Sequence, residues 1–350
     1  MVLLLQRNGY EISVVTPKIY KESRYYELQG GVKIYRFPFL SGNRLLIEYE
    51  KIPYLRMVLY YITGLFFLTF VIVKQRCGLI HAHWAIPTGL IAVIGGFLLR
   101  RPFVVTIHGS DFRLAMEKSS FIKKLFLLVC KKASHIICVS EILRREVKKL
   151  GIEGKKISAF PMGVGEEFLA QEKYRKNGRE NRPLTVLSNR KFLPIYNVSL
   201  LIRAIPIVLE EEPNVKFILA GDGPERKNAQ RQAETLAVGS SIEFLGWVRH
   251  EEMAKLLSRS EIYVSASLDD GTSVSLLEAM AAGAFPIVTD IPSNREWISD
   301  GENGFLVPTD EERVLATRII EAIRNRPLLE RAREKNFHVI SQKAILSATI

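Results

Sequence analysis

Residues Ser265 to Val288 read SASLDDGTSVSLLEAMAAGAFPIV. An apolar strand, Ile262 to Ser265, runs into a small, polar, glycine-containing turn, then an alanine-rich helix, and then a second strand over Phe285 to Thr289. A strand, a crossover helix and a following strand within roughly thirty residues make one parallel crossover unit, the repeat of a doubly wound α/β sheet. Ligands of such sheets collect beyond the carboxyl ends of the strands. At the helix start the amides of Thr272 to Ser275 have no helical acceptor and carry the positive end of the macrodipole, so the turn suits a phosphate. Asp270 and Glu278 lie about two helical turns apart, on roughly one face, too far apart to share one small group. Together they could hold the two ends of an extended ligand. Taken singly, Asp270 is a helix cap and Glu278 an ordinary helix carboxylate.

The same rhythm extends in both directions. Strands are predicted at Glu11 to Thr16, Gly78 to Ala82, Phe103 to Ile107 and His135 to Val139, and again at Leu184 to Ser188, Val215 to Ala220 and Ile242 to Leu245. Between the two sets the chain turns polar over Ala170 to Arg182 (AQEKYRKNGRENR) and meets Pro183. With 350 residues the chain exceeds what one core usually supports. The predicted organisation is a domain over 1–170, a linker over 171–182 and a second domain over 183–350.

An apolar fraction of 47% and a charged fraction of 25% exclude a disordered chain. Three cysteines, Cys77, Cys130 and Cys138, fit neither a disulfide framework nor a zinc site and point to a reducing compartment. Met1 to Leu5 has no basic flank and is too short for a secretory signal. Charge is uneven. Residues 1–170 hold 25 Lys and Arg against 12 Asp and Glu, net +13, and the remainder 24 against 25, net −1, summing to +12. The first half therefore suits an anionic partner, a phospholipid surface or nucleic acid, and composition does not choose between them. Met57 to Val73 (MVLYYITGLFFLTFVIV) carries no charge, close to the minimum for a span, but Gly64 and two threonines interrupt it and Arg56 and Lys74 flank it. A buried or interfacial helix is expected there. Phe121 to Lys132 (FIKKLFLLVCKK) pairs a basic with an apolar face, as in a helix lying on anionic lipid or one packed on a sheet with solvated lysines. His81 and His83 are expected on opposite faces of a strand, and no metal-ligand cluster is predicted.

Further motifs accompany Ser265 to Val288 in a fixed order. These are His81 to Gly89 (HAHWAIPTG), Thr106 to Asp111 (TIHGSD), Cys138 to Glu141 (CVSE), Pro161 to Val164 (PMGV), Ala220 to Glu225 (AGDGPE) and Phe244 to Val248 (FLGWV). With LEAMAAG at Leu277 to Gly283, followed by Pro286, the series resembles the retaining glycosyltransferases of family 4. That resemblance implies the GT-B fold, two Rossmann-like doubly wound parallel-sheet domains facing a cleft. It also implies transfer of a sugar from a UDP- or GDP-sugar to a hydroxyl acceptor, with retention.

Carried onto this sequence, the resemblance makes His108 and Asp270 the catalytic pair beside the reacting sugar. Arg190, Lys191, Gly221, Gly223 and the amides of Gly271, Thr272, Ser273, Val274 and Ser275 would hold the donor's sugar and diphosphate. Glu278 would bind the ribose, and Trp247 with Val248 would bracket the base, although Trp247 reads equally well as a packing aromatic. Neither metal nor cofactor is expected. The implied acceptor is a lipid-linked or cell-surface glycan precursor, and the implied location is cytoplasmic, peripheral at the inner face of the cell membrane, with no nucleic-acid partner.

Three departures from the family pattern qualify this. Asp270 stands where Glu is usual, one methylene shorter. Tyr196, within KFLPIYNVSLLIRA, takes the place of a Lys, for which Lys191 or Arg295 could substitute. Family members also open with a strand and Gly-rich loop before a helix leading to a segment like Asn8 to Pro17, and end in a helix crossing back to the first domain. Truncation at both ends is therefore expected. The alternative function is a noncatalytic nucleotide-sugar-binding descendant, or an inactive fragment of such an enzyme. A dinucleotide dehydrogenase is disfavoured, because neither predicted domain carries a full Gly-x-Gly-x-x-Gly after its first visible strand.

Overall fold

The computed structural model describes residues 2–43, 53–170 and 184–345. The expected linker at 171–182 lies outside the described residues. The chain divides after Phe160 into two compact units. Pro161 to Ala170, expected to close the first domain, goes with the second. Its helix Glu166–Ala170 packs on the helices His250–Arg259 and Val274–Ala282, with the Phe168 ring fully buried. Burial of that ring fixes the segment to the second core.

The first unit contains strands β1 (Ser13–Pro17), β2 (Tyr26–Gln29) and β3 (Val32–Phe37) in one sheet of order β1-β3-β2. β1 runs parallel to β3, whereas β2 is antiparallel to it. The β2–β3 hairpin turns on Gly30 and Gly31, at φ 56° and 84°. Two consecutive positive φ values are what a two-residue turn matched to strand twist needs. A second, wholly parallel sheet has the order β4 (Ile80–His83), β5 (Phe103–Ile107), β6 (His135–Cys138) and β7 (Ile157–Ala159). Val105, Ile107, Ile136 and Cys138 are fully buried against the helix Ser120–Lys132, which contributes Phe126, Val129 and Cys130.

The uncharged run lies within a helix, Tyr54–Gln75, seated on β1 and β3. By length and composition it could cross a membrane. One face is nonetheless part of the core. The Tyr60 ring meets Phe37 and Phe39 edge-on, with centroids 5.1 and 5.5 Å away, and Val71 and Ile72 are buried. The helix Leu90–Leu99 crosses it closely: a Cβ on Gly64 would lie 2.7 Å from Ile91, and one on Gly95 would lie 2.8 Å from Leu68.

The second unit is a six-stranded parallel sheet. Its strands are β8 (Thr185–Ser188), β9 (Lys216–Ala220), β10 (Ile242–Gly246), β11 (Ile262–Ser265), β12 (Phe285–Thr289) and β13 (Phe305–Val307), in the order β10-β9-β8-β11-β12-β13. Counted within the unit this is 3-2-1-4-5-6, the dinucleotide-fold order, whose direction of growth reverses between β8 and β11. β11 and β12 are buried along their whole lengths, as expected of parallel strands covered on both faces.

Candidate active site

The loops after β8 and β11 meet at this reversal, and Arg190 links them. Its guanidinium is buried, donating from Nη2 to Asp270 Oδ2 at 2.6 Å and from Nη1 to Ser273 Oγ at 2.9 Å and Ser275 Oγ at 3.4 Å. Ser273 also caps the helix Val274–Ala282, accepting from the Leu276 amide at 3.3 Å. One hydroxyl thereby fixes both the helix start and the guanidinium. The Tyr196 ring lies 4.1 Å from the guanidinium carbon, so the aromatic at the expected Lys position supports Arg190 from below by cation–π contact. Arg190 Nε and Asn189 Oδ1 are buried without a hydrogen-bond partner. In the first turn the amides of Val274 and Ser275 fall outside the intrahelical ladder. A cation, first-turn amides and small hydroxyls converge here, a combination suited to an anion bearing several oxygens.

Glu278, one face along the same helix, is only 8% exposed. Burial, reinforced by the Glu167 carboxylate and opposed by Arg190, pushes its carboxyl up to about 7. His250 lies between the two carboxylates, with Nε2 3.0 Å from Glu167 Oε1 and Nδ1 3.8 Å from Glu278 Oε1, while its ring meets Phe168 edge-on. Sequence reasoning missed Glu167 and His250. Glu167 follows the PMGV motif and His250 follows Trp247 and Val248, but only packing of the helix Glu166–Ala170 brings them to Glu278.

Gly221 and Gly223 set the backbone of the Arg190 loop. A Cβ on Gly221 would lie 2.4 Å from the Arg190 carbonyl oxygen, and one on Gly223 2.4 Å from that of Phe192. Their amides are engaged, Gly221 N–H with the Gly246 carbonyl at 2.7 Å and Gly223 N–H with Asp222 Oδ1 at 2.8 Å. Lys191 and Trp247 are exposed, and Val248 packs partly buried beside the second-unit core. Arg295 is engaged elsewhere, donating from Nη2 to Asp290 at 2.7 Å on the surface.

In the first unit His108 follows β5 and its Nε2 lies 3.0 Å from His83 Nδ1. Burial first, then neighbouring imidazoles, lowers both rings to about 4, so at neutral pH one neutral ring donates to the other. The expectation for His81 and His83 needs correction. Residues two apart on a strand share a face, and these rings stack with centroids 4.6 Å apart. His81 Nε2 is 2.8 Å from Thr106 Oγ1. Asp111, buried and raised to about 6 chiefly by that burial, accepts from the amides of Ala85 at 2.7 Å and His108 at 3.0 Å. It ties the β4 and β5 loops together. Among the described residues, no group of three or more His, Cys, Asp or Glu could hold a metal ion.

Residues 170–339 match the family Glycosyl transferases group 1, and residues 1–168 match Glycosyltransferase Family 4. The chain belongs to glycosyltransferase family 4. It is therefore a glycosyltransferase enzyme with the GT-B fold of two Rossmann-like domains. Among curated family relatives, the phosphatidylinositol N-acetylglucosaminyltransferase gpi3 subunit of Schizosaccharomyces pombe is 26% identical over 247 residues, 69% of this chain. That match spans only 53% of the yeast protein, about half its length. The alpha-monoglucosyldiacylglycerol synthase of Streptococcus pneumoniae is 24% identical over 97% of this chain and 75% of its own. Among solved structures, Anabaena HepE in complex with UDP and glucose superposes with a TM-score of 0.73 at 18% identity, over 91% of this chain and 84% of its own.

Proposed function

We propose that the chain transfers a sugar from a UDP- or GDP-sugar to a hydroxyl group with retention, and that its acceptor is a lipid-linked or cell-surface glycan precursor at the inner face of the cell membrane. The observation that carries this reading is the buried Arg190 held by Asp270, Ser273 and Ser275 at a helix start beside Glu278. In it Arg190 and the amides from Gly271 to Ser275 take the diphosphate, Glu278 the ribose and Asp270 the sugar hydroxyls, while His108 serves the reacting sugar. Departure of the nucleoside diphosphate builds negative charge on its terminal phosphate, and a fixed guanidinium with oriented amides stabilises that charge. An Asp270 carboxylate already paired with Arg190 makes a poor nucleophile. Retention is therefore assigned to same-face attack, in which the acceptor oxygen bonds to the anomeric carbon as the phosphate leaves and takes the hydroxyl proton. The named relatives act on phosphatidylinositol or make a glycosylated diacylglycerol, which supports a lipid-side acceptor.

The test is transfer by the full chain from a panel of UDP- and GDP-sugars to polyprenyl and glycan acceptors, with the product anomer read by NMR and EDTA present in one arm. An inverted anomer, or loss of transfer with EDTA, would overturn the mechanism. A second reading, a noncatalytic nucleotide-sugar binder, is favoured by Asp270 and Tyr196 in place of the usual Glu and Lys. It predicts nucleotide binding with no turnover on any acceptor.

A further inference from the structure

The geometry points to a bilayer-docking face on the first unit, made by the helices Tyr54–Gln75, Leu90–Leu99 and Ser120–Lys132, with anionic lipid as its partner. On the first helix Leu55, Val58, Ile62, Phe66, Phe70 and Val73 succeed one another at steps of three or four, and all are exposed, from 44% to 90%. This stripe lies opposite the face that Tyr60, Val71 and Ile72 bury in the core. The helix is therefore apolar nearly all round, although among the described residues only one side has protein to cover it. The stripe continues sideways. Ile94, Phe97 and Leu98 on the second helix and Phe121 and Leu128 on the third are also exposed. Tyr61, Leu65, Leu90, Ile94, Leu125 and Leu128 line one shared apolar groove between the three helices. Exposed apolar surface of that extent marks an interaction site.

Charge selects the partner. None of the three helices contains an acidic residue, and from Lys51 to Ser110 the sequence has no carboxylate side chain at all. On the third helix Phe121, Lys124, Leu128 and Lys131 follow at helical spacing, putting ammonium groups among the exposed apolar side chains. Lys74, in the last turn of the first helix, holds its ammonium 5.2 Å from the Phe70 ring centre, and Arg100 and Arg101 follow the second helix. Aromatic and aliphatic side chains flanked by lysines, with no acids, match a surface of phosphate headgroups over acyl chains. The first helix lies on this surface. To span the bilayer it would have to abandon the contacts of Tyr60 with Phe37 and Phe39.

This face supplies a means for the proposed lipid-side reaction, but vesicle binding is measured without donor or acceptor. Either idea can therefore fail alone. The full chain is sedimented with vesicles of phosphatidylcholine containing about one-third phosphatidylglycerol, and with phosphatidylcholine alone. Binding to the anionic vesicles is expected. Ile62→Ser/Phe66→Ser/Val73→Ser should weaken it at least about tenfold, since three apolar side chains no longer enter the acyl boundary. Its circular dichroism should stay unchanged, because all three residues are exposed. Lys124→Glu/Lys131→Glu should remove the preference for anionic vesicles. Any of four results would overturn the inference: no binding by the parent, equal binding by parent and both variants, a parent dimer that the triple variant dissociates, or protein retained in the membrane after alkaline carbonate.

Discussion

Glu278 holds a proton far more tightly than an exposed glutamate does, because it is buried and faces the Glu167 carboxylate. Only its ionised form is a pure acceptor for ribose hydroxyls. With its carboxyl at about 7, nucleotide affinity should rise from about pH 6 to about pH 8 and level off above. The stability effect has the opposite sign. A carboxyl raised in the folded state favours folding while protonated, and its contribution falls as pH rises from about 4.5 to about 7. Glu278→Gln should therefore flatten the affinity profile and weaken UDP or GDP binding by about 1.5 to 3 kcal/mol, the worth of a charge-assisted hydrogen bond. It should also raise the melting temperature at about pH 8. Calorimetric titration and thermal melts of one variant check both, and equal nucleotide affinity in mutant and parent would remove Glu278 from the donor site. For His108, hydrogen-bonded to His83, His108→Ala should lower turnover more than donor affinity. Steady-state kinetics beside calorimetry would show a wrong assignment as an equal loss in both.

At the scale of elements, the Arg190 loop is shaped by the turn after β9. A methyl group on Gly223 would have to occupy space 2.4 Å from the Phe192 carbonyl oxygen, a backbone atom with little room to retreat. Gly223→Ala should cost about 3 kcal/mol in urea unfolding and displace Arg190, weakening nucleotide binding in step. Unchanged stability would mean that the two loops can separate freely. β5, β11 and β12 match their predicted bounds, because buried parallel strands are short apolar runs bounded by turns. β7 and β13, three residues each, give too little pattern to read. The β2–β3 hairpin was not predicted: Lys33 and Arg36 interrupt the apolar run that a buried strand would show, and the Gly30-Gly31 pair is the one turn signal there. Of the candidate site, the sequence named Asp270, Glu278 and Arg190 one residue at a time, without the contacts among them. The contact between Arg190 and Ser273 joins two strand-end loops distant in sequence, and the stacking of Tyr196 beneath Arg190 depends on the turn over Pro194–Tyr196. Neither has a periodicity to betray it.

At the scale of the molecule, each unit has its own hydrophobic cores. A fragment of residues 161–349 should fold and bind nucleotide, whereas one of 184–349 should be less stable by about 3 to 5 kcal/mol, since it lacks the fully buried Phe168 ring. Paired urea titrations decide this, and equal stability would show the helix Glu166–Ala170 to be dispensable. The uneven placement of the cysteines gives the intact chain a reporter for one half alone. Cys77, Cys130 and Cys138 all belong to the first unit. Burial pushes the Cys130 and Cys138 thiols up to about 12, while Cys77 is partly exposed. Under native conditions an alkylating reagent should therefore modify Cys77 alone at an appreciable rate. In rising urea, modification of Cys130 and Cys138 becomes a clock for the opening of the first unit, silent to anything the second unit does.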